Sequence, residues 1–405
     1  MVLGKFAHQE NDMDWKVPLA DLNYDVEEEQ AALAVLRSRW LTLGAVTQRF
    51  EQEFGRVVGS KHALAVSNAT VALHLACRAV GLGPGDEVIA PSLSFVATTN
   101  AALYTGASVR FADIRGADDL TLAPQAIEAQ ITPRTRAIIV MHYGGYPCQM
   151  VEIMQIARRH GLAVIEDAAH APGAWLNDPL GGAARHLGTW GDVGCFSFFS
   201  NKNLSTGEGG MLVTDRDDIA AQVRLMRSHG MTSLTWDRHQ GHAYSYDVVE
   251  LGYNYRIDEI HSALGLVQLE KLSAGNARRA AISRRYWQSL HDLSLGPRPL
   301  GLPFSHYADP AHVSASAAYH IFPILLPAAL DRLAFIDRMR AEQIQTSIHY
   351  PPIHQFTYYR QRYPDVMLPF TEDIAAREVT LPLYPTMTDE QVSWVIEAVR
   401  RSLAG

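Results

Sequence analysis

One lysine in this sequence sits where an amine can do chemistry. In the run Gly194-Cys-Phe-Ser-Phe-Phe-Ser-Asn-Lys202-Asn-Leu-Ser-Thr-Gly-Glu-Gly-Gly210, Lys202 follows a strand-like apolar stretch and precedes a glycine-dense turn. A side chain held there cannot extend freely into water. Beside an apolar or cationic neighbour its pKa falls, and the neutral amine can condense with an aldehyde to an imine. The glycines let the backbone turn tightly beside a bulky group. A lysine on a loop is usually a solvated surface residue, so the weight falls on what accompanies it. Val164-Ile-Glu-Asp167-Ala-Ala-His170 places a carboxylate at the C-terminal end of a buried strand, where an open α/β sheet keeps its ligand crevice. An anion there can keep a pyridine nitrogen protonated and so make the ring an electron sink; the plainer use is to cap the next helix. His170 can face the same ring. Val66-Ser67-Asn68-Ala69-Thr70 leads into a helix. Free N–H groups at a helix start, with a threonine hydroxyl beside them, cradle a phosphate, or form a simple N-cap.

The elements that must position these residues are legible as periodicities. Short apolar runs at Ala63–Val66, Glu87–Ala90, Ser108–Phe111, Ala137–Met141, Ala163–Glu166, Gly194–Ser197 and Gly210–Val213 read as strands. Amphipathic segments at Val71–Val80, Val96–Leu103, Pro124–Gln130 and Val151–His160 lie between the earlier ones. Strands that are apolar throughout, alternating with helices, predict an α/β domain with a mostly parallel seven-stranded sheet flanked by helices. Two helices precede it, over Val26–Arg39 with an acidic start and basic end, and over Val46–Val58. Met231–Asp247 is polar, aperiodic and rich in His, Trp and Tyr, and reads as a long loop. A long helix follows from Asp258 through Arg278-Arg279. Beyond it, His320–Leu326 and Ser347–Tyr350 look strand-like, Leu330–Gln343 and Asp389–Leu403 look helical, and Thr388 or Asp389 can cap the last helix. The expected division is a large domain over 1–275 and a smaller α+β domain over 276–405.

Composition narrows the class. The chain has 405 residues, 47% hydrophobic and 19% charged, with a net charge of -8. That is an ordinary globular balance, and it argues against a general nucleic-acid binder, which needs a basic surface. No apolar run reaches the ~18 residues of a membrane span, and the N-terminus has no signal-peptide core. Cys77, Cys148 and Cys195 are too few and too scattered for a disulfide framework, which fits a cytoplasmic protein. His239 and His242 could ligate a metal, but two histidines without a third ligand usually belong to a solvated loop; no metal is expected.

Taken together, these blocks resemble the DegT/DnrJ family of sugar aminotransferases, of the aspartate-aminotransferase fold type, over nearly the whole chain. Gly83-Pro-Gly-Asp-Glu-Val-Ile-Ala-Pro-Ser92 with Phe95-Val-Ala-Thr98 is similar to a second block of that family. Tyr143-Gly-Gly-Tyr-Pro147, Leu251-Gly-Tyr-Asn254-Tyr-Arg256, His349-Tyr-Pro-Pro-Ile-His354 and Leu381-Pro-Leu-Tyr-Pro385 are similar to later ones. The resemblance implies pyridoxal 5'-phosphate held by Lys202 as a Schiff base, with Lys202 also shuttling the proton. It implies Asp167 on the ring nitrogen, His170 near the ring hydroxyl and Phe95 stacked on the ring. Ala69, Thr70 and Ser197 would hold the phosphate, with Ala69 standing where the family usually has Gly. Asn254 would reach the phosphate of a second subunit, which implies a homodimer with shared sites. Substrate contacts are expected from Gly44, Arg227, His229, Arg256, His349, Tyr350 and His354. The implied reaction moves the amine of glutamate or glutamine onto a nucleotide-linked keto sugar, in amino sugar biosynthesis. A keto-cyclitol aminotransferase, a sugar dehydratase and a non-catalytic regulatory homologue are the rivals. Relatives with His at the lysine position act as dehydratases, and this chain keeps Lys202.

Overall fold

The computed structural model describes residues 15–178, 182–233, 241, 245–295, 299–309 and 315–404. His239 and His242 fall outside them, as does part of the Met231–Asp247 stretch. The central sheet contains β1 (His62–Val66), β2 (Glu87–Pro91), β3 (Ser108–Ala112), β4 (Thr135–Met141), β5 (Ala163–Asp167), β6 (Val193–Ser197) and β7 (Gly210–Thr214). Their spatial order is β1-β7-β6-β5-β4-β2-β3. All neighbours are parallel except β7, which runs antiparallel to both β1 and β6. Alternate residues serve opposite faces, as the strand pleat requires. Ile89, Ile138, Val140 and Val164 enter one buried cluster, and Val88, Ala90, Ile139 and Ile165 the other.

The register decides where the chemistry sits. Met141 and Cys195 both lie abreast of Asp167, while Val66 and Ser197 both lie abreast of Gly210. The C-terminal ends of β1, β4, β5 and β6 and the start of β7 therefore share one edge of the sheet. Gly210 has a specific reason to be glycine: a Cβ there would stand 2.6 Å from the Asn68 carbonyl carbon, against the start of the following helix.

Helices α1 (Val26–Ser38), α2 (Ala45–Val58), α3 (Ala69–Ala79), α4 (Ala97–Tyr104), α5 (Pro124–Ala129) and α6 (Met150–His160) match the amphipathic segments. Further elements add to the sequence reading. These include α7 (Asp217–Met226) and a small antiparallel pair, Ile114–Gly116 with Asp119–Leu122. The long helix α8 runs unbroken over Glu259–Ser294, 36 residues, so the boundary expected at 275/276 lies inside it. After it come β8 (Phe322–Leu325), α9 (Arg332–Ala341), α10 (Thr357–Arg362), α11 (Pro369–Arg377), β9 (Glu378–Leu381) and α12 (Asp389–Ala404). β8 and β9 pair antiparallel and, with α9 and α12, enclose a third buried cluster around Phe322, Phe335 and Val395. Thr388 does cap α12, its hydroxyl accepting the Gln391 N–H at 3.1 Å.

Ser347–Tyr350 is not a strand. Ser347 makes one ladder pair with Thr380, and the chain then turns away. Pro351 and Pro352 supply no N–H to extend a ladder, which releases His349 and Tyr350 to point elsewhere.

Candidate active site

A cavity of about 390 Å³ opens at the shared sheet edge, lined by Ala69, Thr70, Phe95, Asp167, His170, Ser197, Lys202, His349 and Tyr350 among others. Lys202 stands on the loop that leaves β6. That loop is tied at its base: Phe198 N–H donates to the Gly209 carbonyl and Thr206 N–H to the Phe198 carbonyl, while Lys202 N–H closes a turn onto Phe199. Burial draws the Lys202 amine down to about 8, partly offset by the charge of Asp167. Its Nζ lies 3.4 Å from His320 Nε2. The His320 tautomer follows from its neighbours. Asn203 Nδ2 donates to the carbonyl of Ala318 (2.7 Å) and to Asn276 Oδ1 (2.8 Å), so its Oδ1 must accept from His320 Nδ1–H (2.9 Å). The lone pair on Nε2 is thereby turned to Lys202. Burial holds His320 well below the usual histidine range, so the imidazole stays neutral.

Asp167 ends β5 with its carboxylate buried. Thr98 Oγ1 donates to Oδ2 at 2.6 Å and Ala169 N–H to Oδ1 at 3.2 Å. Burial raises its pKa against the lowering effect of Thr98, Ala169 and Lys202. The preceding residue does a different task. Glu166 accepts the N–H groups of Gly188, Trp190 and Gly191 at 2.7–2.8 Å and pairs with His142 Nε2 at 2.9 Å. Burial pushes Glu166 up, but His142 and those backbone donors outweigh it and hold the carboxyl low. This clamp fixes the end of β5 and hence the direction of Asp167.

His170 lines the cavity, yet both its nitrogens are engaged. Nδ1 accepts the Gly144 N–H at 3.2 Å, and Nε2 lies 2.9 Å from the Tyr350 hydroxyl. With Nδ1 accepting, Nε2–H donates, which leaves the Tyr350 O–H free to donate into the cavity. At the start of α3, Asn68 caps the Val71 N–H at 3.0 Å, and no described acceptor meets the N–H groups of Ala69 and Thr70. Phe95 is 56% exposed beside Tyr350, ring centroids 6.2 Å apart.

Other expected substrate contacts stand away from this cavity within the chain. Arg227 is buried, its guanidinium pairing with Glu51 and donating to the Ala65 carbonyl at 2.9 Å. Gly44 N–H donates to Glu259 at 2.8 Å. Arg256 donates to Ser228 Oγ at 3.0 Å. His354 is held between Ser92 (2.7 Å) and Glu372 (3.1 Å). His229 and Asn254 are exposed.

A family model described as the DegT/DnrJ/EryC1/StrS aminotransferase family matches residues 23–400. The chain belongs to that family. Spore coat polysaccharide biosynthesis protein SpsC of Bacillus subtilis (strain 168) is 39% identical over 386 residues, 94% of this chain and 95% of SpsC. The structure of S. venezuelae DesV superposes with a TM-score of 0.83 at 33% identity, covering 94% of this chain and 95% of DesV. That of NtdA from Bacillus subtilis, solved with bound cofactor PMP, gives 0.84 at 29% identity, covering 98% and 87%.

This family member is thus a pyridoxal-phosphate-dependent aminotransferase, and its structural neighbours include the putative sugar aminotransferase Spr1654 from Streptococcus pneumoniae (TM-score 0.86, 25% identity, covering 96% of this chain and 99% of that one). Its cavity fits the cofactor on its own chemistry. It offers a lysine with a depressed pKa, a buried carboxylate facing it and, among the described residues, helix-start N–H groups without an acceptor and one orphaned acceptor, the buried Asn201 Oδ1. When bound, the cofactor supplies an aldehyde for the lysine and an electron-withdrawing ring. Several residues of the site lay beyond the sequence reading. Thr98 lies in the first turn of α4, three positions after Phe95 in the block Phe95-Val-Ala-Thr98. Glu378 is a charged residue opening an apolar strand, the usual sign of a buried polar group with a task. His320 and Asn203, 117 positions apart, had no signal short of the fold.

Proposed function

We propose that the enzyme transfers the amine of glutamate or glutamine onto the keto group of a nucleotide-linked sugar. The observation that carries this is the convergence of Lys202, Asp167 and the α3 start on one cavity, to which the C-terminal part of the chain adds His349 and Tyr350. In this reading Lys202 Nζ holds the cofactor aldehyde and, once displaced, carries the proton. Asp167 pairs with the ring nitrogen, Phe95 covers the ring face, and Ala69, Thr70 and Ser197 hold the phosphate. His170 lies near the ring hydroxyl. Asn254, exposed on its own subunit, reaches the phosphate of a second, making a cytoplasmic homodimer with shared sites; His229 and Arg256 lie beside it, through the Ser228–Asn254 bridge and the Arg256–Ser228 hydrogen bond, and contact substrate. Residues 1–275 serve the cofactor and 276–405 close over the substrate. SpsC, by its name a polysaccharide-biosynthesis protein, supports an amino sugar product.

The test is spectroscopic. The purified enzyme is expected to absorb as a lysine-bound pyridoxal chromophore and to bleach on adding glutamate, and Lys202→Ala to abolish both. Retention of the band and of turnover in that variant would sink the proposal. A panel of nucleotide-linked keto sugars and keto-cyclitols then identifies the acceptor.

A further inference from the structure

His349 reaches the cavity with a chain of exchangeable protons behind it. Its Nδ1 lies 2.9 Å from Thr380 Oγ1, which lies 2.5 Å from Glu378 Oε1. The other carboxyl oxygen, Oε2, accepts the backbone N–H of His349 itself at 2.8 Å. The carboxyl thus grips the histidine at both ends, and the Ser347–Thr380 bridge holds the two segments in register. No described residue meets His349 Nε2, the nitrogen left for whatever enters the cavity.

Glu378 is fully buried, and among the described residues no cation pairs with its carboxyl. Arg332, the nearest guanidinium, reaches only the Glu378 backbone carbonyl, at 3.5 Å. The remaining titratable neighbours are Tyr143, whose hydroxyl donates to the His349 carbonyl, and Tyr350; His170, His320, Lys202 and Asp167 lie around the cavity. Burial therefore pushes Glu378 up to about 8 and His349 down to about 4. Near neutral pH both are uncharged, and the ionisable proton rests on the carboxyl.

We propose that Glu378, Thr380 and His349 form a relay that delivers a proton from His349 Nε2 to the keto oxygen leaving the sugar, an assignment that rests on the function proposed above. At rest Glu378 Oε1–H donates to Thr380 Oγ1, the Thr380 hydroxyl donates to Nδ1, and Nε2–H faces the cavity. When the Nε2–H bond breaks toward the substrate oxygen, the Thr380 proton bonds to Nδ1 and the Glu378 proton to Thr380 Oγ1. The negative charge lands on Glu378, and the imidazole is never a cation. The oxygen departs as water, one hydrogen coming from the relay and one from the incoming nitrogen. That nitrogen's second proton returns to Nε2, and the three shifts reverse. Nothing is oxidised or reduced, and the relay ends as it began. An acid poised near 8 suits such a transfer. His349 touches the substrate; Thr380 and Glu378 are positioning residues acting through it.

The test reads the tautomer of His349 by NMR of the holoenzyme labelled with ¹⁵N-histidine, its signals assigned by their loss in His349→Gln. Between pH 6 and 9 the ring is expected to stay neutral, with the Nε2–H form giving way to Nδ1–H near pH 8. Glu378→Gln should hold the Nε2–H form throughout, because an amide that accepts the His349 N–H can only donate to Thr380. Thr380→Val should erase the reversal and Thr380→Ser restore it, which separates loss of the hydroxyl from loss of the fold. On a nucleotide-linked keto sugar turned over by the wild type, Glu378→Gln should lower kcat about 10²-fold with KM little changed. A cationic His349 near pH 6.5, or a reversal that survives in Glu378→Gln, would overturn the relay. Amine transfer with no reversal in the wild type likewise overturns the relay alone. A reversal with no transfer to any keto sugar overturns the assigned substrate and supports the proton chain.

Discussion

At the scale of single residues, burial is the common cause of the site's chemistry. It makes Lys202 a weaker base, Asp167 a weaker acid, and His170, His320 and His349 neutral. For Lys202 the consequence has a sign. The amine attacks an aldehyde only when unprotonated, and its pKa falls from 10.5 to about 8. Uptake of pyridoxal phosphate by the cofactor-free enzyme should therefore accelerate about tenfold per pH unit below 8 and level off above it. Stopped-flow absorbance across pH 6–10 measures this, and a profile still climbing toward 10.5 would show an amine that is not desolvated.

At the scale of elements, distant carboxylates set local geometry. Helix α2 begins at Gly44, which has no side chain to cap it. Glycine is required there because a Cβ would stand 2.5 Å from the Trp40 ring nitrogen. Glu259, from the first turn of α8, supplies the cap instead. Its carboxylate accepts the N–H groups of Gly44, Val46 and Thr47 and the Thr47 hydroxyl, at 2.6–2.9 Å. One carboxylate thus satisfies helix-start donors that would otherwise be orphaned and binds α2 to α8. Glu259→Ala should cost about 2 kcal/mol or more in denaturant unfolding, in the range of a lost cap plus buried unpaired donors. Gly44 and Glu259 form a structural pair within the chain.

At the scale of the whole molecule, the buried Glu378 links stability to pH. Burial raises its folded-state pKa to about 8, above the ordinary carboxyl value of 4.5. Between those values the folded chain holds a proton that the unfolded chain has lost, so the carboxyl contributes a fall in stability as pH rises from 4.5 to 8 and nothing further beyond. Glu378→Gln lacks that proton. Its stability relative to the wild type should rise between pH 5 and pH 8, measured by urea unfolding at each. A constant difference would mean that the carboxyl is ionised throughout.

Local sequence was enough for the seven strands, most of the helices and the placing of Asp167 at a strand end and Lys202 on the loop after a strand. Each leaves a signal within a few positions: apolar runs of strand length, a strand-end carboxylate, a lysine before a glycine-rich turn. The sequence order of blocks was enough for the family. What only tertiary structure decided is which polar groups meet. Thr98 on Asp167, His320 on Lys202, and the Glu378–Thr380–His349 chain join residues 29 to 118 positions apart. No periodicity records such a meeting, because hydrogen bonds depend on sub-ångström placement while patterning depends only on which face is apolar. For the same reason Arg227, Gly44 and His354 looked like ligand contacts in the sequence. Only the fold shows that they also meet Glu51, Glu259, Ser92 and Glu372 within the chain.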